Sequence, residues 1–187
     1  ITITYYSAVG TQYSTDTQDI AAHGKYTTSG HFPPDADCCW AIITSDQPVA
    51  ILVFSGDGQQ MMDFDAVSTY GKKYIIPHTD STQPWYTGFL LTNPGDTTAT
   101  VTVTAYNDAG ALVYVVQIPV GAKQIIRELD GSLLYQEGMS SSVTYTTYNA
   151  SNVTRKGSLI IESDQNILAA GFFGDSQQAG GILATPL

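Results

Sequence analysis

Basic residues are what this sequence has least of. Seven Lys and Arg stand against 17 Asp and Glu in 187 residues, a net charge of −10. A phosphate-binding surface needs a basic footprint, and no basic cluster here exceeds two residues (Lys72-Lys73, Arg155-Lys156). Nucleic acid and anionic membrane are therefore poor partners. Charged residues of both signs reach only 13%, about half the usual globular share of roughly 25%. The polar surface must then be built from Thr, Ser, Asn, Gln and Tyr, a composition common in secreted β-proteins. No run approaches the roughly 18 apolar residues of a membrane span. No basic segment followed by an apolar stretch opens the chain, so no signal peptide is visible; Ile1 reads as a cut made inside a repeat.

Cysteine is nearly absent, and the two present are adjacent, Cys38-Cys39. Neighbouring cysteines do not close an unstrained disulfide. Three readings stay open: buried free thiols, a strained vicinal disulfide, or cross-links to other chains. Catalytic signatures are also missing. There is no G-x-S-x-G elbow, and the three histidines, His23, His31 and His78, show no paired metal spacing. With three Glu and the Asp mostly at turns, paired-carboxylate chemistry loses to a turn reading. The expectation is a non-enzyme without cofactor. Two weak metal candidates are His31 with Asp37 beside the cysteines, and Asp63 with Asp65, which could offer two oxygens to a structural calcium ion. Against the first stands the stiff Phe32-Pro33-Pro34; against the second, the lack of a D-x-D-x-D-G loop.

What the chain does have is itself, twice. Ser45-Asp46-Gln47-Pro48-Val49 recurs as Ser163-Asp164-Gln165-Asn166-Ile167, and Gly56-Asp57 as Gly174-Asp175, at an offset of 118. Ile1-Thr2-Ile3-Thr4 with Gly10 recurs as Val101-Thr102-Val103-Thr104 with Gly110, at an offset of 100. The second copy thus carries an 18-residue insertion between these landmarks. Self-similarity of this kind marks a modular array. Residues 74–98 have no counterpart ahead of Ile1, so the first copy lacks its opening strands.

Alternation of Thr with Val or Ala over residues 98–106 predicts a strand, a turn at 107–110 and a returning strand over 111–118. The first copy repeats this at 1–6, 7–10 and 11–20. Segments 41–43 and 49–54, and 158–161 and 167–173, read as hairpins about acidic turns. Trp85 to Thr92 reads as a strand, and residues 125–134 as at most a short turn of helix. Many short strands between turns predict an all-β fold of two tandem Ig-like antiparallel β-sandwich units. Residues 1–73 form the incomplete unit and 74–187 the complete one, with 74–98 open to being shared between them. Trp40 and Trp85 are expected to plug the two cores.

The ordered series Pro77-His78, Trp85-Tyr86-Thr87-Gly88, Leu91-Thr92-Asn93-Pro94, Gly121-Ala122-Lys123, Glu162-Ser163-Asp164-Gln165 and Phe173-Gly174-Asp175 resembles a repeat module of secreted and surface proteins of bacteria, often found in tandem. The resemblance implies a secreted Ig-like sandwich without assigned catalysis, and supplies no catalytic residues. The chain departs from it in Cys38-Cys39, in the insertion over 135–155 and in the missing opening strands.

Two roles follow as expectations. A sandwich short of one strand presents an association-prone edge, which an extended segment from another chain fills by strand addition. Tyr74, Ile75, Ile76, Trp85, Phe89 and Leu91 are the candidate assembly residues, and self-association into a homo-oligomer or filament at the cell surface is the expected outcome. The rival role is carbohydrate binding, with Tyr135, Tyr145 and Tyr148 of the insertion stacking on sugar rings. Asn149 and Asn152 each sit in an N-x-Ser/Thr acceptor pattern, which marks their surroundings as an exposed loop tip.

Overall fold

A computed structural model describes residues 1–28, 39–56, 61–136, 138–139, 141–175, 179–183 and 185–186. The chain is all-β. In the first copy, β1 (Thr2–Ser7), β2 (Gln12–Thr17) and β3 (Cys39–Thr44) make one sheet in the order β2-β1-β3, and β4 (Leu52–Gly56) pairs with β5 (Met61–Asp65). The second copy uses β6 (Gly71–Asp80), β7 (Tyr86–Thr92), β8 (Ala99–Asn107), β9 (Leu112–Val120), β10 (Ile125–Leu129), a short helix α1 (Asp130–Tyr135), β11 (Thr144–Tyr148), β12 (Lys156–Gly174), β13 (Ala179–Leu183) and β14 (Thr185–Pro186).

The strand β12 organises the second copy. Its first half lies between β8 and β6, and its second half between β7 and β13. The strand therefore belongs to two sheets, which enclose one hydrophobic cluster. Val101, Val103 and Leu159 come from one side, Phe89, Leu91 and Ala169 from the other, and all are buried. Alternation explains the burial: on β8 every second residue from Ala99 to Ala105 faces the core while the threonines between face outward. At the bend, the Tyr74 hydroxyl donates to the Ile167 carbonyl and accepts the Gly71 N–H. Tyr74 and Ile76 of β6 are almost wholly buried; side chains of this size stabilise by about 1.5–3 kcal/mol each when removed from water.

Strand pairing repeats between the copies residue by residue. Thr2 pairs with Thr17 and Ile3 with Asp16; Thr102 pairs with Gln117 and Val103 with Val116. The irregularity at Tyr5/Tyr6 recurs at Ala105/Tyr106. Ile3–Ile43 and Ser7–Cys39 have counterparts in Val103–Ile161 and Asn107–Gly157, and Leu52–Asp65 in Ala170–Leu183. The sequence offsets are thus also structural offsets.

Several expectations need correction. Residues 158–173 are one continuous strand rather than a hairpin, and β3 and β4 pair with β1 and β5 rather than with each other. The reason is that the segments on either side of the acidic stretch belong to different sheets, so it redirects the chain instead of reversing it. The short helix expected within 125–134 is present as α1, after the strand β10 over its first five residues, and it ends where Gln136 adopts a left-handed conformation (φ 58°). Neither tryptophan plugs a core: Trp40 is half-buried, and Trp85 is 40% exposed.

One glycine on β7 is required by packing. A Cβ on Gly88 would lie 2.0 Å from Cζ of Phe172 and within 2.7 Å of two further ring atoms. Phe172 is buried, so the ring has little room to retreat. Gly88→Ala is expected to destabilise the fold by about 1–3 kcal/mol through overpacking, seen as a lower urea midpoint at unchanged slope.

Candidate functional site

Among the described residues no strand stands beside the first copy where β6 and β7 stand beside β12, and two edges are unpaired there. Beside β12, Tyr74, Ile75 and Ile76 of β6 pair with Ile161, Ile160 and Leu159. The corresponding residues of β3 are Ile43, Ile42 and Ala41, and among the described residues no strand pairs with their outer edge. Beside the second half of β12 runs β7; beside β4, on that side, runs nothing described. Burial follows pairing. Ile161 and Ile167 are fully buried, whereas their counterparts are half-buried Ile43 and 42% exposed Val49. Leu52 and Val53 of β4 are likewise exposed. This row of apolar residues along unpaired backbone is the candidate site, an open strand-accepting edge.

The candidate assembly residues lie in the other copy. Tyr74, Ile76, Phe89 and Leu91 are buried in this chain's own core, and Ile75 pairs with Ile160. They complete the second copy from within through pairing with β12, so they are not a free donor. Trp85 alone of that group is exposed; its ring stacks on Phe173 (centroids 5.0 Å apart, 10° between planes), and His78 meets Phe173 edge-on.

The tyrosines of the insertion turn inward. The Tyr145 hydroxyl donates to the Leu133 carbonyl and that of Tyr148 to the Leu134 carbonyl at 2.6 Å. Their rings meet edge-to-face at 5.7 Å. Only Tyr135 is well exposed, at 46%, so the three do not form one stacking face. Asn149 and Asn152 both donate side-chain N–H groups to the Leu112 carbonyl. The segment is a short 3-10 turn tied to the sheet rather than a free loop tip, and a glycan on either amide would compete with that tie.

His31, Asp37 and Cys38 lie outside the described residues. Cys39 is a free thiol at the start of β3. Asp63 and Asp65 stand on β5, opposite Phe54 and Leu52 in register. Among the described residues no group of three or more His, Cys, Asp or Glu is placed to hold a metal ion, and no helix is long and apolar enough to cross a membrane. A cleft of ≈ 420 Å³ at the junction of the copies is lined by Ile42, Tyr70, Lys72, Asn93, Pro94 and Asn166 among others. Its Lys72 ammonium donates to the Asp164 carbonyl, and its Asn93 amide to the carbonyls of Thr97, Val120 and Gly121. These polar groups serve the fold.

Sequence reasoning missed a buried acid–tyrosine cluster. The Tyr114 hydroxyl donates to Asp130 Oδ1 at 2.8 Å, and Ser81 donates to Oδ2 at 3.4 Å. Glu128 and Asp80 are buried nearby in the chain. Burial pushes the Asp130 carboxyl up to about 6, although hydrogen bonds from Tyr114, Ser81 and Thr79 oppose it. Burial also raises Asp80, but its Thr82 hydrogen bonds and Lys156, 3.4 Å away, outweigh that and hold it below the usual carboxylate range. The Tyr114 phenol is pushed well up by burial and by the Asp130 charge. The cluster joins β6, β9 and α1, so it holds the short helix that leads into the insertion against the sheet. No local pattern announces it, because its members are far apart in the chain.

No family model matches the chain, and no curated protein matches it. Among solved structures, Thermotoga maritima 1070 is similar at 12% identity over 63% of this chain and 96% of that one, with a TM-score of 0.46. The Anabaena sensory rhodopsin transducer is similar at 15% identity over 57% and 91%, with a TM-score of 0.40. Likenesses this distant carry no functional argument.

The sign of the Asp130 effect can be tested. A carboxyl held above its ordinary 3.8 in the fold stabilises fully below that pH, and the contribution is lost as pH rises through about 6. The stability difference between the wild type and Asp130→Asn is expected to shrink, by on the order of 2 kcal/mol, between pH 4 and pH 7.5. Denaturation curves across that range check it; a difference that grows with pH would contradict the assignment.

Proposed function

We propose that the chain is a non-catalytic structural or adhesive module of a bacterial cell surface or extracellular assembly, joined to a neighbour by strand complementation. The observation that carries this reading is the outer edge of β3, unpaired among the described residues, whose twin on β12 is covered by β6. The occupant is an extended segment patterned like β6, contributed by another polypeptide bearing the same repeat. Main-chain hydrogen bonds would supply affinity, and alternate apolar side chains over Ile43 and Val49 the register. The sparsely charged surface suits such a setting. The buried state of Asp130, Glu128 and Asp80 supports a structural role, since carboxyls shut from solvent in a hydrogen-bonded core do not meet a substrate.

A synthetic peptide of residues 71–80 tests this. With the peptide in excess, the outward amides of β3 are expected to slow markedly in hydrogen exchange, while a scrambled peptide leaves them unchanged. Equal exchange with both peptides would sink the reading.

A second reading, a carbohydrate-binding surface module, is favoured by one observation. Trp85 rests one face on Phe173 while the residue stays 40% exposed, which suits stacking against a sugar ring. A glycan array with the wild type and Trp85→Ala discriminates: binding that vanishes in the variant supports it, and no binding by the wild type dismisses it.

A further inference from the structure

The junction between the two copies is built from parts that the chain also presents, unused, at its two ends. The plug is the turn at residues 7–11. Within it Gly10 N–H donates to the Ser7 carbonyl, Ser7 N–H to the Thr11 carbonyl, and Gly10 sits at φ +88°. The socket is the segment 121–125, where Gln124 N–H donates to the Gly121 carbonyl and Lys123 is left-handed at φ 55°. Plug meets socket closely. Ile125 N–H donates to the Ala8 carbonyl at 3.1 Å, and a Cβ on Gly10 would lie 2.3 Å from the Ala122 oxygen. The Trp40 indole, stacked on Tyr6, donates to the Lys123 carbonyl at 2.8 Å.

Each part has a twin at the repeat offset. The turn at 107–111 has the same two hydrogen bonds and a left-handed Gly110 (φ +75°). The turn at 21–24 has Gly24 N–H donating to the Ala21 carbonyl and a left-handed His23 (φ 61°). Neither twin is covered. A Cβ on Gly110 would meet nothing within 4 Å, and residues 21–28 are all exposed. The two twins stand at opposite ends, since 107–111 precedes β9 whereas 21–24 follows β2, the counterpart of β9.

We propose that a second copy of this chain docks head to tail, its segment 21–25 receiving the 107–111 turn of its neighbour as 121–125 receives 7–11 within one molecule. The contact would repeat an interface the fold already makes. In it Lys25 N–H donates to the Asp108 carbonyl, and Gly110 lies against the Ala22 oxygen. The residues replacing the apolar pair Ala8 and Ile125 are Asp108 and Lys25, of opposite charge, which fits a contact between separate molecules and makes it sensitive to salt. Ser158 replaces Trp40, so the indole hydrogen bond is not reproduced and the contact is weaker than the internal one. Plug and socket differ, so the association is heterologous and propagates instead of closing as a dimer. This surface is separate from the open edge of β3, and either proposal can fail alone.

Sedimentation of the 187-residue chain over a wide concentration range, at low and high salt, tests the proposal. The wild type is expected to form a concentration-dependent series of oligomers that weakens with salt. Gly110→Asn adds a side chain to the plug while retaining a residue that tolerates left-handed backbone, and is expected to weaken association at least tenfold. If that variant does not fold, Asp108→Lys provides the same test without a backbone demand, and adding Lys25→Asp to it should restore association. A wild type that stays monomeric throughout overturns the proposal. So does association unaltered by Gly110→Asn and by Asp108→Lys, the result that polymerisation through the β3 edge alone would give.

Discussion

The pairing of β6 with the outer edge of β12 is the interaction on which the second copy depends. It covers backbone that would otherwise face solvent, buries Tyr74 and Ile76, and places the Tyr74 hydroxyl on the Ile167 carbonyl at the bend. With that brace a single strand of 19 residues passes from one sheet to the other. In the first copy no described strand lies beside the corresponding stretch, Ser45-Asp46-Gln47-Pro48-Val49, and strand structure lapses between Thr44 and Leu52. Pro48 adds to the break, because it has no N–H to give to a neighbouring strand. Two related segments thus differ in structure through what lies next to them and through Pro48 in place of Asn166.

Glycine has a related double use in the β1–β2 and β8–β9 turns. The left-handed backbone alone favours glycine at residues 10 and 110. Only at Gly10 does a second demand apply, the close approach of the Ala122 carbonyl. The repeat thus supplies a turn already shaped for end-to-end contact, and the fold shows one instance of that contact satisfied.

The helix α1 ahead of the insertion brings chemistry that resembles a site and is placed to be a lock. Asp130, Tyr114, Ser81 and Thr79 are gathered from separate elements, and the Asp130 carboxyl is shifted upward by burial. Shifted carboxyls also mark active sites, but access decides between the two roles, and Asp130 is 2% exposed. The hydroxyls of Tyr145 and Tyr148 on the carbonyls of α1 complete the attachment of the helix. Removing water from these groups gives the insertion a defined place on a sheet that already has its core.

The sequence by itself determined the strands with clear alternation, such as β1 and β8, because burial of one face of a sheet writes a period of two into the residues. It also determined the repeat and its offsets, since like segments paired with like neighbours settle into the same register. It could not determine whether 162–166 reversed the chain or redirected it, because Asp and Ser favour a bend in either case. Nor could it tell that Tyr145 faces a helix carbonyl while Trp85 faces solvent; aromatic residues favour strands whichever way they point. Only the tertiary structure decided that β6 and β7 pair with β12, that no described strand covers the outer edge of β3 or the far side of β4, and that Asp130 meets Tyr114. Those outcomes depend on which distant segments share an edge or a buried volume, and no local pattern of residues specifies that.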